Sequence, residues 1–182
     1  MKNLNYKVAK HVFAATGDKM FCSQCGGKLT LMYATDEGLV PYCKNCGEFR
    51  FAPFASAVSM IVTNRQRDKI LLAKHLGQDD YILFAGYIKK GETAEKAVTR
   101  EFKEETKLDT VKFKYMSSRY HEPRNVLMFN FLLVAENGEP VIDEKELAEV
   151  KWFTLDEALS HIRRDSTAEA FLKNALPEIK KI

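Results

Sequence analysis

Apolar residues along the chain switch between two periods, and the switches mark its elements. Residues 55–63 form a nearly continuous apolar run of strand length, the pattern of a strand covered on both faces. Residues 69–74, 81–84, 111–118, 126–135 and 150–154 read as further strands, with polar turns at residues 64–68 and 136–139. From Thr93 to Lys107 the period lengthens to that of a helix, and Ala94, Ala97, Val98 and Phe102 make its apolar stripe. Residues 155–162 and 167–175 read as terminal helices. Ahead of this block, residues 29–33 and 39–42 predict two strands around the turn Asp36-Glu37-Gly38, and residues 49–53 predict a link. Strands with helices before and after them predict an α/β fold, a mixed sheet between helical layers.

The length of 182 residues has room for one domain and a small module. The pattern divides it into an arm (1–20), a cysteine-bearing module (21–50) and a main domain (54–182). Hydrophobic content of 46% and charged content of 29% are globular values. No apolar run approaches the length of a membrane span. Lys7, Lys10, His11 and Asp18 break up the apolar residues of the first twenty, so no signal peptide is visible and a cytoplasmic chain is expected. The net charge of +3 suits a protein that handles anionic small molecules. It brings no dense basic stripe of the kind that binds nucleic acid.

All four cysteines fall in two C-x-x-C pairs, Cys22/Cys25 and Cys43/Cys46. Glycines follow each pair at Gly26, Gly27 and Gly47, which suits tight turns that aim backbone amides at sulfur. The spacing is that of a closed, structural zinc site with four thiolates. Two disulfides in an exported chain would use the same cysteines, but a cytoplasmic chain keeps its thiols reduced. Residues 21–50 are therefore expected to be a zinc ribbon.

Along the helix, Ala97, Glu101 and Glu105 form one row, with Glu104 beside it. The acids thus run at the edge of the buried face. Like charges four apart repel, and half-buried carboxylates need counter-charge. A hard divalent cation, Mg²⁺ or Mn²⁺, would supply it; a solvated acidic face paired with Lys103 and Lys107 is the other reading of the same spacing. The whole stretch resembles the Nudix box: Gly, five residues, Glu, seven residues, Arg-Glu, an apolar residue, any residue, Glu-Glu, any residue, Gly, an apolar residue. Gly86, Glu92, Arg100, Glu101, Phe102, Glu104, Glu105 and Leu108 stand at the required positions. Lys107 occupies the place of the last glycine, a left-handed helix cap, at a cost of about 1 kcal/mol. The resemblance implies the Nudix α/β/α sandwich from about residue 54 onward.

A zinc ribbon just before a Nudix box resembles the NADH pyrophosphatase branch of Nudix enzymes, over residues 21 to about 152. In that branch Ser-Gln-Pro-Trp-Pro-Phe-Pro follows the box and shapes the dinucleotide pocket. Here Ser118-Arg-Tyr-His-Glu-Pro-Arg124 stands there, followed by Leu127-Met128, and only the leading serine matches in place. The resemblance makes Glu101, Glu105 and Glu146 ligands of magnesium or manganese, with the main-chain carbonyl of Ala85. Glu146, in the acidic segment 143–147 ahead of Trp152, also reads as a surface acid. Phe51 and Tyr87 match aromatic positions that flank the base pocket, and both also read as simple packing. Arg119, Tyr120, His121 and Arg124 are expected to line the altered pocket, where the arginines could grip phosphate or ribose. The branch also suggests a homodimer.

The implied reaction is metal-dependent hydrolysis of a nucleoside diphosphate linked to another moiety, foremost NAD(H) to nicotinamide mononucleotide and AMP. Glu104 would orient or deprotonate the attacking water, and Arg100 would pair with Glu92 to hold the loop against the helix. ADP-ribose, a nucleotide sugar, a dinucleoside polyphosphate or an NAD-capped RNA end are alternative substrates. A different class stays open: a zinc ribbon that contacts nucleic acid beside a Nudix-like nucleotide sensor without catalysis. The full set of acids around Arg100 speaks against the sensor.

Overall fold

The computed structural model describes residues 20–142 and 146–182. Most of the expected arm, residues 1–19, and residues 143–145 of the acidic segment lie outside the described residues. The chain divides into two compact units, Met1–Pro53 and Phe54–Ile182. Among the described residues no helix is long and apolar enough to cross a membrane.

In the first unit β1 (Thr30–Ala34), β2 (Gly38–Cys43) and β3 (Glu48–Phe49) form an antiparallel sheet in that order. The turn between β1 and β2 places Asp36 and Gly38 at positive φ, 71° and 77°. The short β3 was not expected, and its Phe49 was read as the start of the link. Its Glu48 and Phe49 pair with Cys43 and Tyr42, bringing the chain after Cys46 back along β2.

The second unit runs β4 (Ala55–Thr63), β5 (Lys69–His75), β6 (Phe84–Tyr87), α1 (Ala94–Thr106), β7 (Thr110–His121), a 3-10 turn (Glu122–Arg124), β8 (Val126–Ala135), β9 (Leu147–Thr154), α2 (Leu155–His161) and α3 (Thr167–Ile179). Its sheet has the order β7-β8-β4-β5-β9, with β6 paired to β4. Only β4 and β8 are parallel, in register from Ala55↔Val126 to Thr63↔Val134, so the sheet is mixed. Alternate residues of β4 point to opposite faces. Val58, Met60 and Val62 join Phe84, Phe102 and Phe131 in the core under α1. Ile61 joins Leu132, Phe153 and Leu172 in the core under α2 and α3. Two buried faces explain the nearly continuous apolar run: from Ala57 to Thr63 only Ser59 is less than fully buried.

Two strands differ from the sequence pattern. Residues 81–84 were expected as the strand leading into Gly86, but Gly86 lies inside β6, opposite Val58. β5 pairs with β4 only at Val62 and Thr63, which leaves the edge at residues 57–60 open for β6. Tyr81 and Ile82 make only isolated bridges. β7 was expected to end at Ser118. It continues to His121, because its antiparallel register with β8 runs to His121↔Val126 and the chain turns only there, with Asn125 at φ 51°.

Candidate active site

β6 and α1 meet at Gly86. A Cβ built on Gly86 would lie 2.1 Å from Glu101 Cδ and 2.4 Å from Glu101 Oε2. The glycine is therefore required for close approach, which lets the first turns of α1 lie on the strand. Thr93 caps the helix by accepting from Lys96 N, and Lys107 ends it in the left-handed conformation (φ 60°), its N–H donating to Lys103 O.

Arg100 is the hub of this junction. It donates to both oxygens of Glu92 (2.7 and 2.9 Å), to Glu101 Oε1 (2.7 Å), to Glu104 Oε2 (2.8 Å) and to the carbonyl of Tyr87 (3.1 Å). Glu92 also accepts from Lys89 N, and the arginine and this amide together hold its carboxyl down at about 2. The pairing of Arg100 with Glu92 was legible in the sequence. Its further reach to two of the acids and to the β6 backbone was not.

The acids converge on one side of this hub. Glu101, Glu104, Glu105 and Glu146 line a cavity of about 340 Å³ with Lys107 and Leu147. Glu146 reaches it from the start of β9, where its carbonyl accepts from Leu76 N. Glu105 is partly buried and, among the described residues, has neither a hydrogen-bond donor nor a cation. Burial, and then the charges of Glu101, Glu146 and Glu104, push its carboxyl up to about 8. A carboxylate without a partner, within reach of the charges of Glu101, Glu146 and Glu104, is one that a divalent cation such as Mg²⁺ or Mn²⁺ would neutralise, although among the described residues only the four cysteines already bring their ligand atoms within 4.8 Å of one another.

Two cavities with shared walls lie near Gly86. The larger, about 570 Å³, opens between the sheet and α3; the smaller, about 350 Å³, is lined by Gly86, Tyr87, His121 and Arg124 among others. Ala85, His121, Met128 and Thr167 line both. Arg119 and His121 thus face the larger space, Tyr87 and Arg124 the smaller. Tyr120 is placed elsewhere: its ring meets Phe54 edge-on at 6.3 Å and its hydroxyl donates to Asn125 Oδ1. Along an extended strand Tyr120 points away from the face that Arg119 and His121 share. Phe51 belongs to the first unit and is 65% exposed. The sequence reading missed the walls supplied by α3 and a polar position on β8, Asn130. The signal for the latter is a lone amide within an otherwise apolar strand.

In the first unit the ligand atoms of Cys22, Cys25, Cys43 and Cys46 all lie within 4.8 Å of one another. Sulfur separations are 3.9 Å for Cys22···Cys46 and 3.5 Å for Cys25···Cys43. A tetrahedron of four Zn–S bonds has edges of about 3.8 Å; a disulfide would need about 2 Å. Gly26 and Gly47 follow each pair at φ 71° and 73°, and their N–H groups donate to Cys22 O and Cys43 O. Arg50 Nε donates to Cys22 Sγ at 3.3 Å and, as the leading cause, lowers that thiol to about 6. The cluster fits a thiolate-bound metal.

Residues 53–175 match the model of the NUDIX domain. The chain is 33% identical over 139 residues to the NAD-capped RNA hydrolase NudC of Salmonella heidelberg, covering 75% of this chain and 52% of that protein. It is 32% identical over 158 residues to the NAD-capped RNA hydrolase NudC of Vibrio vulnificus, covering 86% and 59%. The chain thus spans between half and three fifths of the length of these relatives. Among solved structures, a NUDIX hydrolase from Nitrosomonas europaea superposes with a TM-score of 0.61 at 23% identity, over 87% of this chain and 90% of that one. The NUDIX domain of Shewanella oneidensis NrtR, complexed with ADP ribose, gives 0.60 at 15% identity, over 76% and 94%.

Proposed function

The chain belongs to the NUDIX family, and from that premise we propose that it is a metal-dependent pyrophosphohydrolase of nucleoside diphosphates linked to a second moiety. The observation that carries this reading is Glu105. It is a partly buried carboxylate without a cation among the described residues, facing Glu101 and Glu146 beside cavities large enough for a nucleotide.

Glu101, Glu105 and Glu146 would hold the divalent ion. A bound Mg²⁺ or Mn²⁺ supplies neutralisation of the diphosphate oxygens and a water of lowered pKa. Arg100 keeps Glu101 aimed at the β6 backbone by holding Oε1, while Glu101 Oε2 stays on the side of Gly86. Glu104 is the most exposed of the three carboxylates that Arg100 holds, at 52%. With Oε2 held by Arg100, it presents Oε1 to orient the attacking water and take its proton. Lys89 stands 3.5 Å from that oxygen and sets a positive charge beside it. His121 and Arg124 bring positive or polar groups to the cavity next to Gly86, where the phosphates leave the acids. Zinc in the four-cysteine cluster is structural in this scheme, since all four positions are taken by sulfur.

The favoured substrate is NAD(H), cleaved to nicotinamide mononucleotide and AMP; an NAD-capped RNA end carries the same bond. Support comes from the similarity to the two NudC proteins and from Tyr87, 57% exposed at the cavity, as a stacking face. ADP-ribose is the second reading, favoured by the placement of Tyr120 away from the cavity, which leaves segment 118–124 with little aromatic surface for a second ring. The deciding experiment is a hydrolysis screen with Mg²⁺ and Mn²⁺ over NADH, NAD, ADP-ribose, nucleotide sugars, dinucleoside polyphosphates and NTPs. AMP with nicotinamide mononucleotide establishes the first reading. Cleavage of ADP-ribose with NADH untouched establishes the second. Binding without cleavage of any of them would return the chain to the sensor class.

A further inference from the structure

Three neighbouring strands carry a polar row at the edge of the apolar face that packs under α3. Asn130 on β8 is in register with Ser59 on β4 and with Ser117 on β7. One step along the same face, Ile61 is in register with Leu132, and both lie in the core under α3. The row Ser59–Asn130–Ser117 marks where α3 ceases to cover the sheet with aliphatic side chains and the 570 Å³ cavity begins.

Asn130 is the informative member. It is only 8% exposed, inside a strand whose other buried positions are all hydrocarbon. Its Nδ2 donates to Ser117 Oγ at 3.2 Å. Among the described residues its Oδ1 accepts nothing, and Ser59 Oγ takes part in no hydrogen bond. An amide has two donor protons and an acceptor oxygen. Asn130 therefore keeps an acceptor and one N–H side by side, held in a fixed plane by Ser117. These groups open onto the cavity rather than being sealed in the core, so a ligand that enters it can pair with both. Met116, Met128 and Phe171 border the same space with polarisable and aromatic surface suited to a flat ring.

We propose that this row is the recognition floor for a planar heterocycle that presents a donor and an acceptor side by side, bound edge-on to the Asn130 amide. Two groups have that chemistry: adenine, through N6–H and a ring nitrogen, which is the standard bidentate partner of an asparagine amide, and the carboxamide of nicotinamide. The inference rests on the nucleotide reading above and names the residue that selects the ring. Ala85 lines the cavity and precedes Gly86, the residue against which Glu101 packs. A ring on the floor thus leaves its phosphates running towards the acids. Ser117 is a positioning residue in this arrangement, because it holds the amide rather than the ring.

The test is calorimetric titration of the full chain without Mg²⁺ or Mn²⁺, using AMP, nicotinamide mononucleotide and, as a ring-free control, ribose 5-phosphate. The wild type should bind at least one ring ligand more tightly than the control. Asn130→Ala should weaken that ligand by about tenfold or more, the loss expected when a polar partner in a closed site is removed, and leave ribose 5-phosphate unchanged. Ser117→Ala should weaken it less. Should Asn130→Ala fail to fold, Asn130→Ser, too short to present the amide, carries the same expectation. Loss confined to AMP places adenine on the floor; loss confined to the mononucleotide places the carboxamide there. Affinities that are equal in wild type and variants, or ring ligands bound no better than the control, would overturn the proposal. A failed hydrolysis screen with a successful titration removes the catalytic reading and leaves the floor; the reverse removes the floor alone.

Discussion

Gly86 and Glu101 occupy space that a single added carbon would make them contest: the missing Cβ lies 2.1 Å from Glu101 Cδ. Gly86 is not at positive φ, so alanine there is permitted by the backbone and the clash alone decides the outcome. The near atoms are a carboxylate that Arg100 already fixes at Oε1. Gly86→Ala should therefore fold but displace Glu101. A loss of turnover of about a hundredfold is expected, the usual effect of an ångström of misplacement in an active site. Weaker Mn²⁺ binding should accompany it. Turnover and metal affinity equal to wild type would mean that Glu101 holds no metal.

Glu105 should make stability and metal binding depend on pH in opposite directions. Its carboxyl is raised from 4.5 to about 8 in the folded, metal-free protein. The folded state then holds its proton more tightly than the unfolded chain, so the contribution is fully present below 4.5 and is lost as pH rises through about 8. A divalent ion must displace that proton, so metal affinity should climb over the same window and level off above it. Thermal melts and Mn²⁺ titrations between pH 5 and 9 read both trends. Glu105→Gln should flatten the melts, and cut turnover by about a hundredfold or more, as loss of a charge-stabilising group does.

How much of this was legible in advance depends on whether a residue acts through its own neighbourhood or across the fold. Residues 55–63 match β4 at both ends, because both faces are covered and the apolar pattern is nearly continuous. Lys107 stood at the C-cap as expected, while Thr93, expected as the first helical residue, caps the helix instead. Glu92, Arg100 and the acids of α1 sit within a few turns of each other, so spacing alone brought them together. Glu146 was reached through the resemblance alone, and Asn130 and the α3 wall not at all, because all three arrive from later strands and a terminal helix that only the sheet order brings to the acids. β6 was misjudged by three residues because its limits are set by the edge that β5 leaves open on β4, a fact of pairing rather than of hydrophobicity. Tyr120 was grouped with His121 by sequence, while a strand sends neighbours to opposite faces.

Lys107 pays for its place in the chain with a left-handed backbone, φ 60°, that a glycine adopts freely. Its Nζ donates to Glu104 O at 2.8 Å, an exposed contact that offsets little of this. Lys107→Gly should stabilise the protein by about 1 kcal/mol, seen as a melting temperature higher by roughly 2–4 °C, with turnover retained. A fall in melting temperature would show that the lysine contact outweighs the strain.

The four-cysteine cluster should hold about one zinc per chain. Cys43 is fully buried on β2, with Cys25 Sγ 3.5 Å away. Cys43→Ser removes one thiolate and leaves a poorer hard ligand in a soft site. The three strands of this unit bury few large side chains of their own: Leu31, Met32, Tyr33 and Leu39 are all exposed. Without metal the sheet has little else to hold it, as in other small modules whose metal affinity is folding free energy. Cys43→Ser, or a chelator, should release the zinc and open residues 20–53 to protease. Residues 54–182, with their own two-sided core, should keep a cooperative melt. Metal analysis, limited proteolysis and calorimetry on the same samples decide it: a zinc-free wild type with full protection of the cysteine unit would refute the metal site.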